Sequence, residues 1–414
     1  MRLRSLLLPL AGLLVAGGIL LALLEPADRD RLLGRCASPA SPAGPEAPAA
    51  PAPAAVADGP GRAEAEQAVA AAWAKRAEAL RPELEAEWKA RTIAQGGKSL
   101  RWLERRFGEK PAGGWNLFIS MHGGGGAPPQ VNDQQWRNQI RLYQHPGSIF
   151  VAPRAPTDTW NLWHEGHIDG LFDRLIAAAV VTQGVNPDRV YLLGYSAGGD
   201  GVYQLAPRMA DRFAAASMMA GHPNGASPLG LRNLPFAIWC GAQDSAYDRN
   251  TIAGERLAEL ATLAAADAGG YLHSGKVVPG KGHWMDLEDA AAVPWMAGFT
   301  RDPWPKTVVW CQDDVLHRRF YWLEIPEGVD VDAGEVVRAK VDGQVISLET
   351  THLRDLTLRL SDKLLDLDRP VTVKAKGKVV FEGKVRRSPA AIEASLLGRP
   401  DPSSAATAEL TLAW

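Results

Sequence analysis

The hexapeptide Gly194-Tyr195-Ser196-Ala197-Gly198-Gly199 follows the short apolar run Val190 to Leu193 and opens a stretch that reads as helical through Ala210. A serine held on a sharp turn between a buried strand and a helix needs glycines two residues away on either side. Larger side chains there would strike the sheet or the helix. The hexapeptide therefore constrains the fold more than any other part of the chain, because it requires a strand, a tight elbow and a helix in that order. The same alternation recurs around it. Trp115 to Ser120, Ser148 to Ala152, Phe213 to Met219 and Pro235 to Cys240 read as short buried strands, and Asp169 to Thr182 reads as a helix. Short apolar runs separated by helical stretches predict an α/β architecture, a mostly parallel sheet with helices on both faces.

The chemistry implied by the elbow asks for partners. A hydroxyl is a weak nucleophile, so Ser196 needs a base, and the base needs a carboxylate to orient it. On a sheet of this kind the order along the chain is serine, acid, histidine. The run Pro235 to Cys240 ends in Gly241-Ala242-Gln243-Asp244, which makes Asp244 the expected acid, with Asp248 as its rival. Gly280-Lys281-Gly282-His283-Trp284 places His283 in a glycine-flanked loop and makes it the expected base, ahead of His164, His167, His222 and His273. Upstream, Met121-His122-Gly123-Gly124-Gly125-Gly126 follows another strand. Glycines let backbone N–H groups approach a developing oxyanion, so the N–H of Ala197 with that of Gly123 or Gly124 is the expected oxyanion hole. His122 lies beside this loop and reads as structural. Tyr195 and His222 read as walls of the substrate pocket.

The stretch from about Gly114 to Met296 resembles the polyhydroxybutyrate-depolymerase and feruloyl-esterase branch of the α/β-hydrolases. The matching pieces are MHGGGG, APRAPTDTWNLWHEG, VNPDRVYLLGYSAGGDGVYQLA, MMAGHPN, GAQD and GKGHW. VNDQQWRNQ and RFYWLEI resemble an envelope-associated bacterial group with an added β domain. The resemblance implies the α/β-hydrolase fold, the same Ser196, Asp244 and His283, and an ester substrate of small-molecule or polymeric kind. It leaves polyester, feruloyl and simple acyl esters open. It also places Trp160 and Trp163 where that branch carries an aromatic cluster near the substrate, and both are expected substrate contacts, although two tryptophans at this spacing also suit a core. Asp200 reads as support for the helix start.

The rest of the 414 residues frames this region. Arg2, Arg4 and the apolar run Ser5 to Leu24 read as a signal peptide or a signal-anchor over 1–24, which would put the bulk of the chain outside the cytoplasm, secreted or held at the cell envelope. Residues 25–61 are a mostly Ala/Pro spacer, and 62–110 read as a helical N-terminal segment, expected as two helices over Ala63 to Ile93. The catalytic part spans 111–303. From 304 to 414 the runs Thr307 to Cys311, Arg319 to Ile325, Val336 to Val341, Val345 to Glu349, Leu356 to Leu360, Val371 to Ala375 and Val379 to Val385 predict a small all-β, sandwich-like domain. Asp342-Gly343 and Lys376-Gly377 sit at expected hairpin turns.

A formal charge of −2 without a dense basic block excludes nucleic acid as a natural partner. Three cysteines, Cys36, Cys240 and Cys311, exclude a disulfide scaffold and a cysteine-rich zinc site. Cys240 and Cys311 either pair or stay as buried thiols. Asp330-Val331-Asp332 reads as a solvated turn, and no metal or organic cofactor is implied. Two other functions share these features: a serine peptidase of the prolyl-oligopeptidase type, and a tethered polymer- or glycan-binding protein with a vestigial triad. Oligomeric state is not legible in the sequence.

Overall fold

In the computed structural model, residues 59–414 are described, and the expected signal or anchor segment, most of the Ala/Pro spacer and Cys36 lie outside them. Helix α1 (Arg62–Ala90) opens this part and is one continuous helix, not the expected pair. Pro82 lies inside it and removes one backbone hydrogen bond. Packing compensates: Leu84 and Trp88 on the last turns are buried, and the Trp88 ring meets Trp102 at 5.5 Å. The helix stops at Arg91, which takes a left-handed conformation, and Ile93, expected as helix, belongs instead to β1 (Thr92–Gln95). β1 turns through Gly96-Gly97 into β2 (Lys98–Phe107).

The elbow region then unfolds in chain order as β3 (Trp115–Met121), α2 (Pro129–Gln139), β4 (Ser148–Arg154), α3 (His167–Ala178), β5 (Val185–Tyr195), α4 (Ala197–Arg208), β6 (Ala215–Met219), β7 (Phe236–Gly241), α5 (Arg249–Ala266), β8 (His273–Val278) and α6 (Ala292–Ala297). The eight strands form one sheet in the order β1-β2-β4-β3-β5-β6-β7-β8. β1, β2 and β4 pair antiparallel, and every pairing from β4 through β8 is parallel. Strand alternation sorts the side chains to two cores. Leu117, Ile119, Val151 and Leu192 join Leu171 of α3, Val202 of α4 and Leu260 of α5 on one face. Phe118, Phe150, Tyr191 and Leu193 join Val293 and Met296 of α6 on the other, with Trp136 of α2 packed against them. A mixed sheet covered on both faces, carrying a serine elbow after β5, is the α/β-hydrolase fold.

The C-terminal part contains β9 (Thr307–Cys311), β10 (Arg319–Phe320), β11 (Leu323–Glu324), β12 (Val336–Asp342), β13 (Val345–Thr350), β14 (Asp355–Leu360), β15 (Val371–Ala375), β16 (Lys378–Gly383), α7 (Pro389–Gly398) and β17 (Ala408–Ala413). Its strands make two sheets, β10-β11-β14-β17 and β16-β15-β13-β12-β9. The hairpins at Gly343 and Gly377 close as their sequences predict, pairing Asp342 with Val345 and Ala375 with Lys378. Helix α7 was not foreseen. It buries Ile392 and Leu396 against Ala68, Val69 and Trp73 of α1, which ties the C-terminal part to the first helix. Burying a residue of that size contributes about 1.5–3 kcal/mol. The described residues pack as one compact unit. Cys240 and Cys311 are both free thiols. Among the described residues, no helix is long and apolar enough to cross a membrane.

Candidate active site

Ser196 stands between β5 and α4 with φ 57° and ψ −123°, a region that L-residues rarely enter. Its N–H donates to Met219 O of the neighbouring strand at 2.9 Å, which holds the strained turn against the sheet. The glycines are dictated by contact distances. A Cβ at Gly194 would sit 2.2 Å from Gly198 O, and one at Gly198 would sit 2.2 Å from Met121 O. Both are closer than real Cβ atoms come to backbone, so strand, elbow and helix can meet only through bare backbone.

The loops after β7 and β8 deliver two further side chains. Asp244 is fixed by its own N–H to Gly241 O at 3.0 Å and by Asn250 N–H to its carbonyl at 3.0 Å. Its carboxylate is buried and accepts from His283 Nδ1 at 2.8 Å. A proton on Nδ1 leaves Nε2 as acceptor, and Nε2 lies 2.9 Å from Ser196 Oγ. The structure thus brings Ser196, His283 and Asp244 into one chain of hydrogen bonds. Asp248 lies exposed on the same loop in a left-handed turn, away from the imidazole. His273 instead contacts Tyr271 O. Tyr195 braces His283: its hydroxyl donates to His283 O at 2.6 Å and accepts from Met285 N–H at 3.2 Å. Beside Asp244, burial pushes the Cys240 thiol up to about 12, so it stays a neutral neighbour 3.8 Å from Asp244 Oδ2.

The glycine loop is fastened from two sides. His122 Nδ1–H donates to Gly123 O at 2.6 Å, and its Nε2 accepts from Ala155 N–H at 3.1 Å. Burial lowers its pKa to about 4, so the ring is neutral and its tautomer is set by these two backbone partners. On the other side, Asn132 Oδ1 accepts from Gly125 N–H at 2.9 Å, and its amide donates to Asp158 at 2.7 Å. Asp158 in turn pairs with Arg154, which also holds Asp133. Gly124 takes φ +111°, and a Cβ there would overlap Asn132 Oδ1 at 2.1 Å. A Cβ at Gly123 would come within 3.0 Å of Ser196 Cβ, so this backbone lies directly against the serine. Ala197 is the first residue of α4, and its N–H has no intrahelical acceptor.

Beside Ser196 opens a cavity of about 600 Å3, bounded by Val131 and Leu142 on one side and Tyr195, His283 and Trp284 on the other. Tyr195 lines it. Trp163, expected to touch substrate, does not: its ring is fully buried, its Nε1–H donates to His122 O at 2.9 Å, and it fills the space left by Gly201. It is a prop under the glycine loop. Trp160 is 53% exposed and does not line the cavity; it lies over Gly126 and near the exposed Tyr247. His222 also stands outside the cavity wall. Its backbone N–H donates to Asp200 at 2.7 Å, and its ring contacts Asn224. Asp200, its carboxyl raised by burial, ties the start of α4 to the loop after β6.

Asn132, Asp158, Tyr143 and Asp289 were missed by sequence reasoning. Tyr143 OH donates to the fully buried Asp289 at 2.5 Å, in the turn that follows His283 and Met285. Burial raises the Asp289 carboxyl above the usual range. A carboxyl raised in the folded state stabilises the fold while protonated, and that contribution is lost as pH climbs above the ordinary carboxylate range. Asp289→Asn keeps an acceptor for Tyr143 but cannot ionise. Its melting temperature relative to wild type should therefore increase in thermal unfolding as pH is raised from about 4, the ordinary carboxylate pKa, to neutrality. A constant difference across that range would show that Asp289 does not titrate as the structure implies.

No protein-family model matches the chain, and no curated protein matches it. Solved structures do. A thermostable esterase is 15% identical over 51% of this chain and 62% of its own, with a TM-score of 0.39. Esterase PE8 is 19% identical over 47% of this chain and 98% of its own, at 0.34. LpqC, a poly(3-hydroxybutyrate) depolymerase from Bordetella parapertussis, is 20% identical over 50% and 87%, at 0.38.

Proposed function

We propose that the protein hydrolyses carboxylic esters through an acyl-enzyme on Ser196. The observation that carries this reading is the Asp244–His283–Ser196 chain of hydrogen bonds ending on a strained, backbone-packed serine. His283 Nε2 takes the Oγ proton as Oγ attacks the ester carbonyl. The N–H of Ala197, with that of Gly123 or Gly124, receives the tetrahedral oxyanion. The imidazolium then protonates the departing alcohol, and water releases the acid by the same steps in reverse. Asp244 keeps the proton on Nδ1 throughout. No step calls for a metal or an organic cofactor. The chain acts outside the cytoplasm, secreted or held by its N-terminal segment.

The test is turnover of matched acyl-ester and aminoacyl-amide panels by purified residues 62–414. Ester hydrolysis that outpaces amide hydrolysis and is lost in Ser196→Ala is expected. Amide turnover as fast as ester turnover would make the protein a peptidase instead. Gly124→Ala tests the oxyanion loop. Its Cβ overlaps Asn132, so the loop must shift, and loss of one aligned donor should lower kcat by about 10²–10³ with a smaller change in KM. An unchanged kcat would remove this loop from the mechanism.

A further inference from the structure

The cavity beside Ser196 carries an unbalanced charge. Val131, Gln135 and Asn138 succeed one another at helical spacing along α2, and Arg141 and Leu142 continue this wall just past its end. Among the described residues lining the cavity, Arg141 alone bears a fixed charge, and no aspartate or glutamate faces it. Arg141 is exposed, and its guanidinium makes no ion pair or side-chain hydrogen bond among the described residues. Asn138 Oδ1 accepts from Gln134 Nε2 at 2.8 Å, while its own N–H groups have no side-chain partner among the described residues. Gln139, by contrast, is spent on Ser120 Oγ at 2.8 Å. The cavity therefore holds the serine and His283, the apolar side chains Val131, Leu142 and Trp284, and along the α2 wall two amides and a lone cation.

We propose that this cavity selects esters that carry a free carboxylate on the acyl arm, with Arg141 as the specificity-determining residue. The inference rests on the ester-hydrolase reading for its chemistry and on the cavity wall for its selectivity. A planar guanidinium meets a carboxylate through two parallel charge-assisted hydrogen bonds, which a neutral chain end cannot accept. A cavity of about 600 Å3 has the volume of an ordinary small-molecule site. Hydrolysis of such a substrate releases a dicarboxylate and an alcohol.

The experiment compares p-nitrophenyl hydrogen glutarate with p-nitrophenyl pentanoate, which has the same carbon count and no charge. Wild type should favour the glutarate ester in kcat/KM by about ten- to a hundredfold, the range of a charge-assisted hydrogen bond. In Arg141→Gln that ratio should collapse toward one, and Arg141→Lys should restore part of it. Binding of free glutarate against neutral glutaramide, read by calorimetry, is measured on the same proteins and needs no turnover. Equal kcat/KM for the two esters in wild type, or a ratio unchanged in Arg141→Gln, overturns the proposal. If neither ester is cleaved yet glutarate binds in an Arg141-dependent way, the anion site stands and the hydrolase reading falls.

Discussion

Ser196→Ala should lower ester turnover by about 10⁶-fold, the loss expected when the nucleophile of a serine triad is removed, while the protein stays folded. Alanine keeps the Cβ that packs beside Gly123 and the backbone bond to Met219 O, and only Oγ is lost. The direct readout is covalent. A fluorophosphonate should add its mass to the peptide containing Ser196 in wild type and to no peptide in Ser196→Ala. His283→Ala should label far more slowly, because Nε2 is the group within 2.9 Å able to take the Oγ proton. Labelling of a different residue, or none in a folded sample, would end the acyl-enzyme proposal. In that case a polymer- or glycan-binding role, tested by pull-down with the same protein on insoluble polyester and polysaccharide, moves forward.

The contrast between Ser196 and Trp163 shows which parts of such a site can be read from sequence. The elbow is local: Gly194 and Gly198 are fixed by each other and by the strand beside them, so four residues of spacing carry the whole constraint. Asp244 follows from the end of the buried run Pro235 to Cys240, and His283 from its glycine-flanked loop, whereas the edge strand β8 before it is only partly buried and gives no apolar run to read. Trp160 and Trp163 share a loop and a residue type, yet one is half exposed and the other fully enclosed. What separates them is Gly201, on a different element, whose missing side chain admits the Trp163 ring. Asn132 and Asp158 depend on a similar meeting of α2 with the loop after β4, 26 residues apart. The edge hairpin β1–β2 was lost for a related reason. Its residues follow a long Ala/Glu helix directly, and only the left-handed Arg91 and the turn at Gly96-Gly97 end that pattern. Helix α7 is likewise defined by its docking on α1, which the runs of β-branched residues before it do not announce.

Asp244→Asn should lower kcat by about 10⁴-fold, as loss of the orienting carboxylate does in serine triads, although the two side chains have the same shape. The argument is about one proton. Asp244 accepts from His283 Nδ1, which leaves Nε2 free to accept from Ser196. An amide nitrogen placed against the ring would donate to Nδ1 instead and move the imidazole proton to Nε2, where it faces Oγ and blocks proton transfer. The backbone bonds that shape this loop, Asp244 N–H to Gly241 O and Asn250 N–H to Asp244 O, are untouched by the change, so folding should survive it. Asp248→Asn is the matched control: its side chain is exposed, and turnover should stay within about twofold of wild type, as for a surface change of no more than about 0.5 kcal/mol. Because triad members act as a unit, Asp244→Asn combined with His283→Ala should be little slower than His283→Ala alone. Steady-state kinetics on one reactive ester, with circular dichroism to check folding, decides the matter. A loss below tenfold in Asp244→Asn, or a large loss in Asp248→Asn, would move the acid of this site to another residue.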